Sequence, residues 1–136
     1  MPIKIPSTND KPVYTDIDPL FTKNPKTNDL VVLKDTKAIK ISLQNLLATS
    51  FGERLFQPQI GASLRPLLFE PIDSITAFEM RDRILETIRK HEPRVNNIVV
   101  DISANPGENQ YEVTVEYTIK SIGSVDRIST LLERIR

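Results

Sequence analysis

The chain has no cysteine and no tryptophan, a single histidine (His91) and four glycines in 136 residues. Without cysteine there is no disulfide, no thiolate metal site and no thiol nucleophile, which suits folding in a reducing cytoplasm. One histidine removes most triad and zinc arrangements at once. Aromatic residues make up only 6% of the chain, leaving little to line a sugar-stacking cleft. Eighteen Lys and Arg balance eighteen Asp and Glu, so no net field exists to hold a polyanion, and nucleic acid is not an expected partner. No apolar run approaches the roughly 20 residues of a membrane span. The opening Met1-Pro2-Ile3-Lys4-Ile5-Pro6 lacks the apolar stretch of a signal peptide, so a soluble, non-exported protein with no membrane partner is expected. Neither GxGxxG, GxxxxGK[ST] nor HExxH occurs, and no cofactor, metal or catalytic residue is expected.

What the chain does have is order along its length. Five of its ten prolines (Pro2, Pro6, Pro12, Pro19 and Pro25) lie among Ser, Thr, Asn, Asp and Lys near the start. That composition opposes both helix and ladder, so residues 1–28 read as an extended arm. Val13, Tyr14, Ile17, Leu20 and Phe21 are apolar, which argues that the arm lies on its own domain or on a neighbour. Residues 29–123 read as one α+β domain and residues 124–136 as a C-terminal amphipathic helix.

Within that domain Leu30-Val31-Val32-Leu33 suggests a short strand. A helix follows, with Asp35 or Thr36 available to cap it, with Ile39, Leu43, Leu46 and Leu47 on one face, and with Gly52 suited to a left-handed C-terminal cap. Residues 52–73 read as irregular, with a short strand near Arg54–Phe56 and one helical turn around Leu64–Phe69. Phe56, Leu68 and Phe69 are expected in the core. The clearest helix runs from Ser74 to Glu92, with Ala77, Met80, Ile84, Ile88 and His91 on its apolar stripe, and Pro93 stops it. Alternation at Ile98, Val100 and Ile102, and again at Tyr111, Val113, Val115, Tyr117 and Ile119, flanks the turn residues Asn105-Pro106-Gly107-Glu108-Asn109: a β-hairpin with one face buried. Ile128, Leu131, Leu132 and Ile135 give the last segment a helical stripe. The fold class is α+β, a small, largely antiparallel sheet with a β-hairpin, packed by two to three amphipathic helices.

Two carboxylates flanking a bond suffice for a glycosidase, and Glu53, Glu70, Asp73 and Glu92 lie in or beside irregular segments. Eighteen acids make such coincidences common, and a peptidoglycan hydrolase is the alternative reading rather than the first. The hairpin edge and the last apolar stripe suit assembly better, because an uncovered edge offers unpaired N–H and C=O groups to a partner strand. Glu112, Glu116 and Lys120 would discourage premature pairing there. A strand-adding peptide adaptor remains a third reading.

An ordered set of residues carries a resemblance. Gly52-Glu53-Arg54, Phe56, Pro58, Gly61, Leu64 and Leu68-Phe69-Glu70, followed by an amphipathic helix ending in Glu92-Pro93-Arg94-Val95, resembles the baseplate wedge and sheath-initiator family of contractile phage tails. Relatives of that family occur in type VI secretion baseplates. Tyr14-Thr15-Asp16-Ile17-Asp18 in the arm looks T4-like. The resemblance implies a non-enzymatic structural subunit of the virion, assembled in the host cytoplasm in about six copies around the tail tube. Its implied partners are larger baseplate wedge proteins and the tail sheath protein, whose first ring it would dock by strand or helix exchange. A lysozyme-like label attached to the family is not supported by the residues above. The residues expected to matter are Gly52, Glu53, Arg54 and Glu70 for the local structure, and Glu92, Pro93 and Arg94, with the arm, for wedge attachment. Tyr111, Val113, Val115, Ile128, Leu131 and Leu132 are those expected for sheath docking. A bidentate pair from Arg94 to Glu53 or Glu70 is expected to tie the irregular segment to the main helix.

Overall fold

A computed structural model describes residues 14–135. The chain divides into two compact units, Met1–Ile39 and Lys40–Arg136. In the first, β1 (Thr15–Ile17) pairs antiparallel with β2 (Val32–Lys34), and a bridge joins Lys23 to Leu30. Much of the expected arm is therefore a ribbon folded on itself; the part before Tyr14 lies outside the described residues. The chain reverses through Asx turns, in which the side chains of Asp18 and Asn24 accept from the backbone N–H groups of Leu20 and Lys26. Asp35 closes the ribbon, its carboxylate accepting from the Tyr14 N–H at 3.0 Å.

Helix α1 (Thr36–Ala48) buries Ile39, Leu43, Leu46 and Leu47, as its spacing predicts. Beyond it the expectations divide. Gly52 is left-handed (φ 85) but lies past the helix end, donating its N–H to the Pro58 carbonyl at 2.8 Å, so it turns a loop rather than capping α1. Arg54–Phe56 forms no strand. Phe56 and Phe69 are exposed, and of the three expected core residues here only Leu68 is buried. Arg65–Phe69 makes one 3₁₀ turn with Pro66 at its start, where the missing N–H costs nothing.

Helix α2 (Ser74–His91) starts at Asp73, whose carboxylate accepts from the Thr76 N–H at 2.7 Å, a cap that holds its own pKa below the ordinary value. Met80, Ile84 and Ile88 are fully buried, and Arg89, Lys90 and His91 complement the helix C-terminus. A sheet of order β3-β4-β5 follows, built from Val95–Asn105, Gln110–Ile119 and Val125–Glu133. On β4, Tyr111, Val113, Val115, Tyr117 and Ile119 all point into the core. Each such side chain contributes about 1.5–3 kcal/mol by leaving water. Strand β3 carries a bulge between Asn96 and Val99, with Asn97 at φ 47.

The expected C-terminal helix is instead β5. It pairs with β4 without interruption from Val125 opposite Thr118 to Glu133 opposite Gln110. Ile128 and Leu132 fit either a helical stripe or a period of two, but the half-buried Thr130 between them and the exposed Leu131 decide for the strand. Local spacing was ambiguous here, and the ladder offered by β4 prevailed.

This geometry makes a direct prediction. Ile128→Ala should cost about 3 kcal/mol in urea unfolding, whereas Leu131→Ala should stay within about 0.5 kcal/mol. Equal effects from the two would contradict the strand.

Candidate assembly surface

The turn from α2 into β3 is built around one buried carboxylate. Glu92 is 3% exposed. Its Oε1 accepts from Arg94 Nε at 2.5 Å, and its Oε2 from Arg94 Nη2 at 2.6 Å and from the Ser42 hydroxyl at 2.8 Å. Burial alone would raise its pKa, but the hydrogen bonds from Arg94 and Ser42 and the guanidinium charge outweigh that and hold it below the ordinary 4.5. The corner is fixed on every side. Pro93 prevents α2 from continuing, the Glu92 N–H closes onto the Ile88 carbonyl at 2.9 Å, and the Lys120 N–H at the end of β4 donates to the Arg94 carbonyl at 3.0 Å.

Arg94 thus pairs bidentately with the residue two positions before it, in place of the expected Glu53 or Glu70. Glu53 turns inward to its own loop and accepts from the Ser50 N–H at 3.1 Å. Glu70, Arg54 and Pro93 are exposed. Sequence reasoning missed Ser42, a small hydroxyl beside the buried Leu43 of α1 and the third group on the carboxylate. It also missed a neighbouring set: the Tyr117 hydroxyl donates to Asp126 Oδ2 at 3.2 Å, and Lys40 stands 4.0 Å from Asp126. Burial, Asp126 and Glu92 together push the Tyr117 phenol well above its ordinary range. Among the described residues no three His, Asp or Glu side chains gather as a metal site.

The residues expected to dock a partner fall into two groups. Tyr111, Val113 and Val115 are core on the central strand and cannot meet a partner, which corrects that assignment. One edge of the expected hairpin, that of β4, is covered by β5, so the free edges of the three-stranded sheet belong to β3 and β5. Beside β5 an apolar cavity of about 330 Å³ opens between Leu47 and Ala48 of α1 and Ile128, Thr130 and Leu132 of the strand. Leu131 and Val125 lie on the opposite, exposed face.

A small antiparallel sheet with free edges, set by a buried ion pair and carrying exposed apolar side chains, is the build of a subunit that joins an assembly. The family model described as baseplate wedge protein gp25 matches residues 34–123, and the chain belongs to that family. It is 30% identical over 119 residues to baseplate wedge protein gp25 of Enterobacteria phage T4, covering 88% of each chain. Two solved structures share its fold. A Geobacter sulfurreducens protein that carries a tail-lysozyme name has a TM-score of 0.67 at 22% identity, over 78% of this chain and 97% of that one. A chain of the anti-feeding prophage baseplate, determined with 6-fold symmetry, has a TM-score of 0.57 at 19% identity, over 90% and 87%.

Arg94→Ala leaves Glu92 buried without its counterion and should cost about 3–5 kcal/mol. Because the folded pKa of Glu92 is depressed, its contribution is full above pH 4.5 and is lost as pH falls through the lower folded value. In Arg94→Ala, burial would raise that pKa, and the contribution should reverse, stability falling as pH rises past the ordinary value. Denaturant unfolding between pH 3 and 7 checks the sign, and parallel pH profiles for the two proteins would count against the assignment.

Proposed function

We propose that this chain is a structural baseplate subunit whose β5 edge receives a strand from the tail sheath protein and so starts sheath assembly. The observation that carries the reading is the state of that edge. Strand β5 runs for 9 residues without bulge or proline, so its edge presents a continuous ladder, with Asp126, Arg127 and Glu133 as its charged side chains. Strand β3, by contrast, is interrupted by a bulge at Asn96–Val99. A strand added to β5 would gain main-chain hydrogen bonds from the ladder and specificity from side chains entering the cavity beside α1. Of the hairpin Ile98–Ile119 and the segment after it, both expected to dock the sheath, this reading favours the segment Val125–Glu133, as a strand. Family membership and the shared fold with a baseplate chain support the setting: larger wedge proteins as neighbours, the tail tube at the centre, and assembly in the host cytoplasm before incorporation in the virion.

The state of three of the four candidate carboxylates supports a non-enzymatic role. A glycosidase needs one acid with a raised pKa, yet Glu92 is tied to Arg94 and Ser42, Asp73 caps α2, and both are shifted down. Glu53 is held by its own loop. The tail-lysozyme name of a structural neighbour at 22% identity speaks to the fold alone. A zymogram on peptidoglycan should show no clearing, and a zone abolished by Glu53→Gln or Glu70→Gln would overturn the reading.

Thr130→Lys places a charge on the inward face of the edge strand, where it opposes strand addition. Binding to the sheath protein in a pull-down should weaken by at least about tenfold, roughly 1.4 kcal/mol, while the fold persists by circular dichroism. Unchanged binding would remove the β5 edge from consideration.

A further inference from the structure

The loop after α1 exposes Leu55 (91%) and Phe56 (96%), more than any other large apolar side chain among the described residues. The neck of the loop is closed by the Gly52 N–H on the Pro58 carbonyl at 2.8 Å and the Ser50 N–H on Glu53 Oε2 at 3.1 Å, so the two side chains form an apolar tip on a hydrogen-bonded base. Gly61 brings the returning chain against the end of α1, so close that a Cβ there would stand 2.3 Å from the Thr49 carbonyl oxygen. Arg54 beside the tip has no carboxylate within 4.0 Å among the described residues, with Glu53 turned into the neck. Elsewhere on the same unit a groove of about 870 Å³ runs between α2 and the free edge of β3. Its apolar wall includes Ile72, Phe78, Val99 and Ile102, and Phe78 and Val99 are more than half exposed. Two carboxylates, Asp73 and Asp101, stand there against one cation, Arg81. Asp73 is engaged in capping α2, whereas Asp101 has no cation within 4.0 Å among the described residues.

We propose that Arg54-Leu55-Phe56 of one copy seats in the α2–β3 groove of a second copy, with Arg54 meeting Asp101, so that copies of this chain join head to tail. Tip and groove complement one another twice over. Exposed apolar anchors meet an apolar hollow, and an unpaired cation meets an unpaired carboxylate that sets the register. The two do not meet within one chain, since Leu55 and Phe56 are almost wholly exposed and neither lines the groove. Other hollows match the tip less well. The cavity beside β5 has no carboxylate, and the hollow at Phe51 and Pro66 sets Arg83 and Lys90 against Glu86. The one at Pro93 and Ile98 offers only Glu92, which Arg94 and Ser42 already hold. An occupant of the α2–β3 groove also covers the free edge of β3, which would otherwise stay open to any extended chain. Because the two patches differ, the contact is heterologous, and its repetition closes into a ring or continues as a filament. The inference uses neither the β5 edge nor the sheath protein, so its failure leaves the proposed function standing.

The test is the oligomeric state of the full chain by sedimentation equilibrium. Three side chains make a small interface, so concentrations up to about 1 mM are used. Wild type should rise in mass with concentration, past the dimer. A tip variant, Leu55→Ser/Phe56→Ser, and a groove variant, Phe78→Ser/Val99→Ser, should each stay monomeric. Mixed in equal amounts, they retain one intact tip and one intact groove between them and should form a dimer that grows no further. Arg54→Asp and Asp101→Arg should each weaken association by at least about tenfold, and the variant carrying both should recover most of it. The charge pair decides the matter if the groove variant unfolds. Wild type that stays monomeric at about 1 mM overturns the proposal, as does a mixture of the two variants that stays monomeric although each is folded. Association that the tip variant loses and the folded groove variant keeps overturns it in favour of another site for the tip. A lowered thermal midpoint in the tip variant also overturns it, because those side chains would then pack within their own chain.

Discussion

The Glu92 carboxylate is one charge buried where α2 stops, β3 begins, α1 passes and β4 ends. Its environment leaves little choice of geometry. Arg94 must present its fork in plane to reach both oxygens, and Ser42 must sit at one place on α1 to reach Oε2. The cost of desolvating such a pair offsets most of its attraction, so it is a poor source of net stability. What it supplies is intolerance of alternatives: a different passage of α1 past the corner removes the Ser42 hydroxyl and leaves the buried Oε2 one donor short. The adjoining Tyr117–Asp126–Lys40 set extends the same condition to β5. Polar groups, rather than apolar ones, therefore set where the sheet edge lies relative to α1.

That placement matters because edges are governed by register. A slip of one residue between β4 and β5 would turn Ile128 and Leu132 outward and Leu131 inward. The Thr118–Val125 end of the ladder lies beside Asp126, which Tyr117 and Lys40 hold, and the turn before it is closed by the Ile119 N–H on the Ser124 carbonyl at 2.9 Å. The apolar cavity beside β5 keeps its lining only in this register. The corner and the β5 edge are thus two ends of one constraint.

Periodicity made α1, α2 and the β3–β4 hairpin legible, because each has a repeated apolar face longer than a single turn of ambiguity. It failed at Val125–Glu133, where Ile128 and Leu132 satisfy two periods at once and only a non-local ladder separates them. It failed again at Phe56 and Phe69, since apolarity alone cannot distinguish a core residue from one left on the surface. The Glu-Pro-Arg corner was legible as a helix stop followed by a rigid cation, but its partner was not. A bidentate pair between residues two apart forms here on the non-helical backbone at Glu92 (φ −126, ψ 78), and no spacing rule for helices anticipates that.

Zero net charge takes on meaning in this setting. On the proposed reading, a subunit that waits with an open edge gains nothing from long-range attraction, which would recruit partners without regard to order. Contacts of short range suit it better. On the proposed reading the main-chain ladder of β5 would accept almost any extended segment, and discrimination must come from side chains that enter the cavity at alternate positions. Only a strand with apolar residues at that period, long enough to span Val125–Glu133, would satisfy both the edge and the cavity. Specificity would then arise from coincidence of two weak requirements, which leaves the edge open to its partner and poorly matched to most other chains.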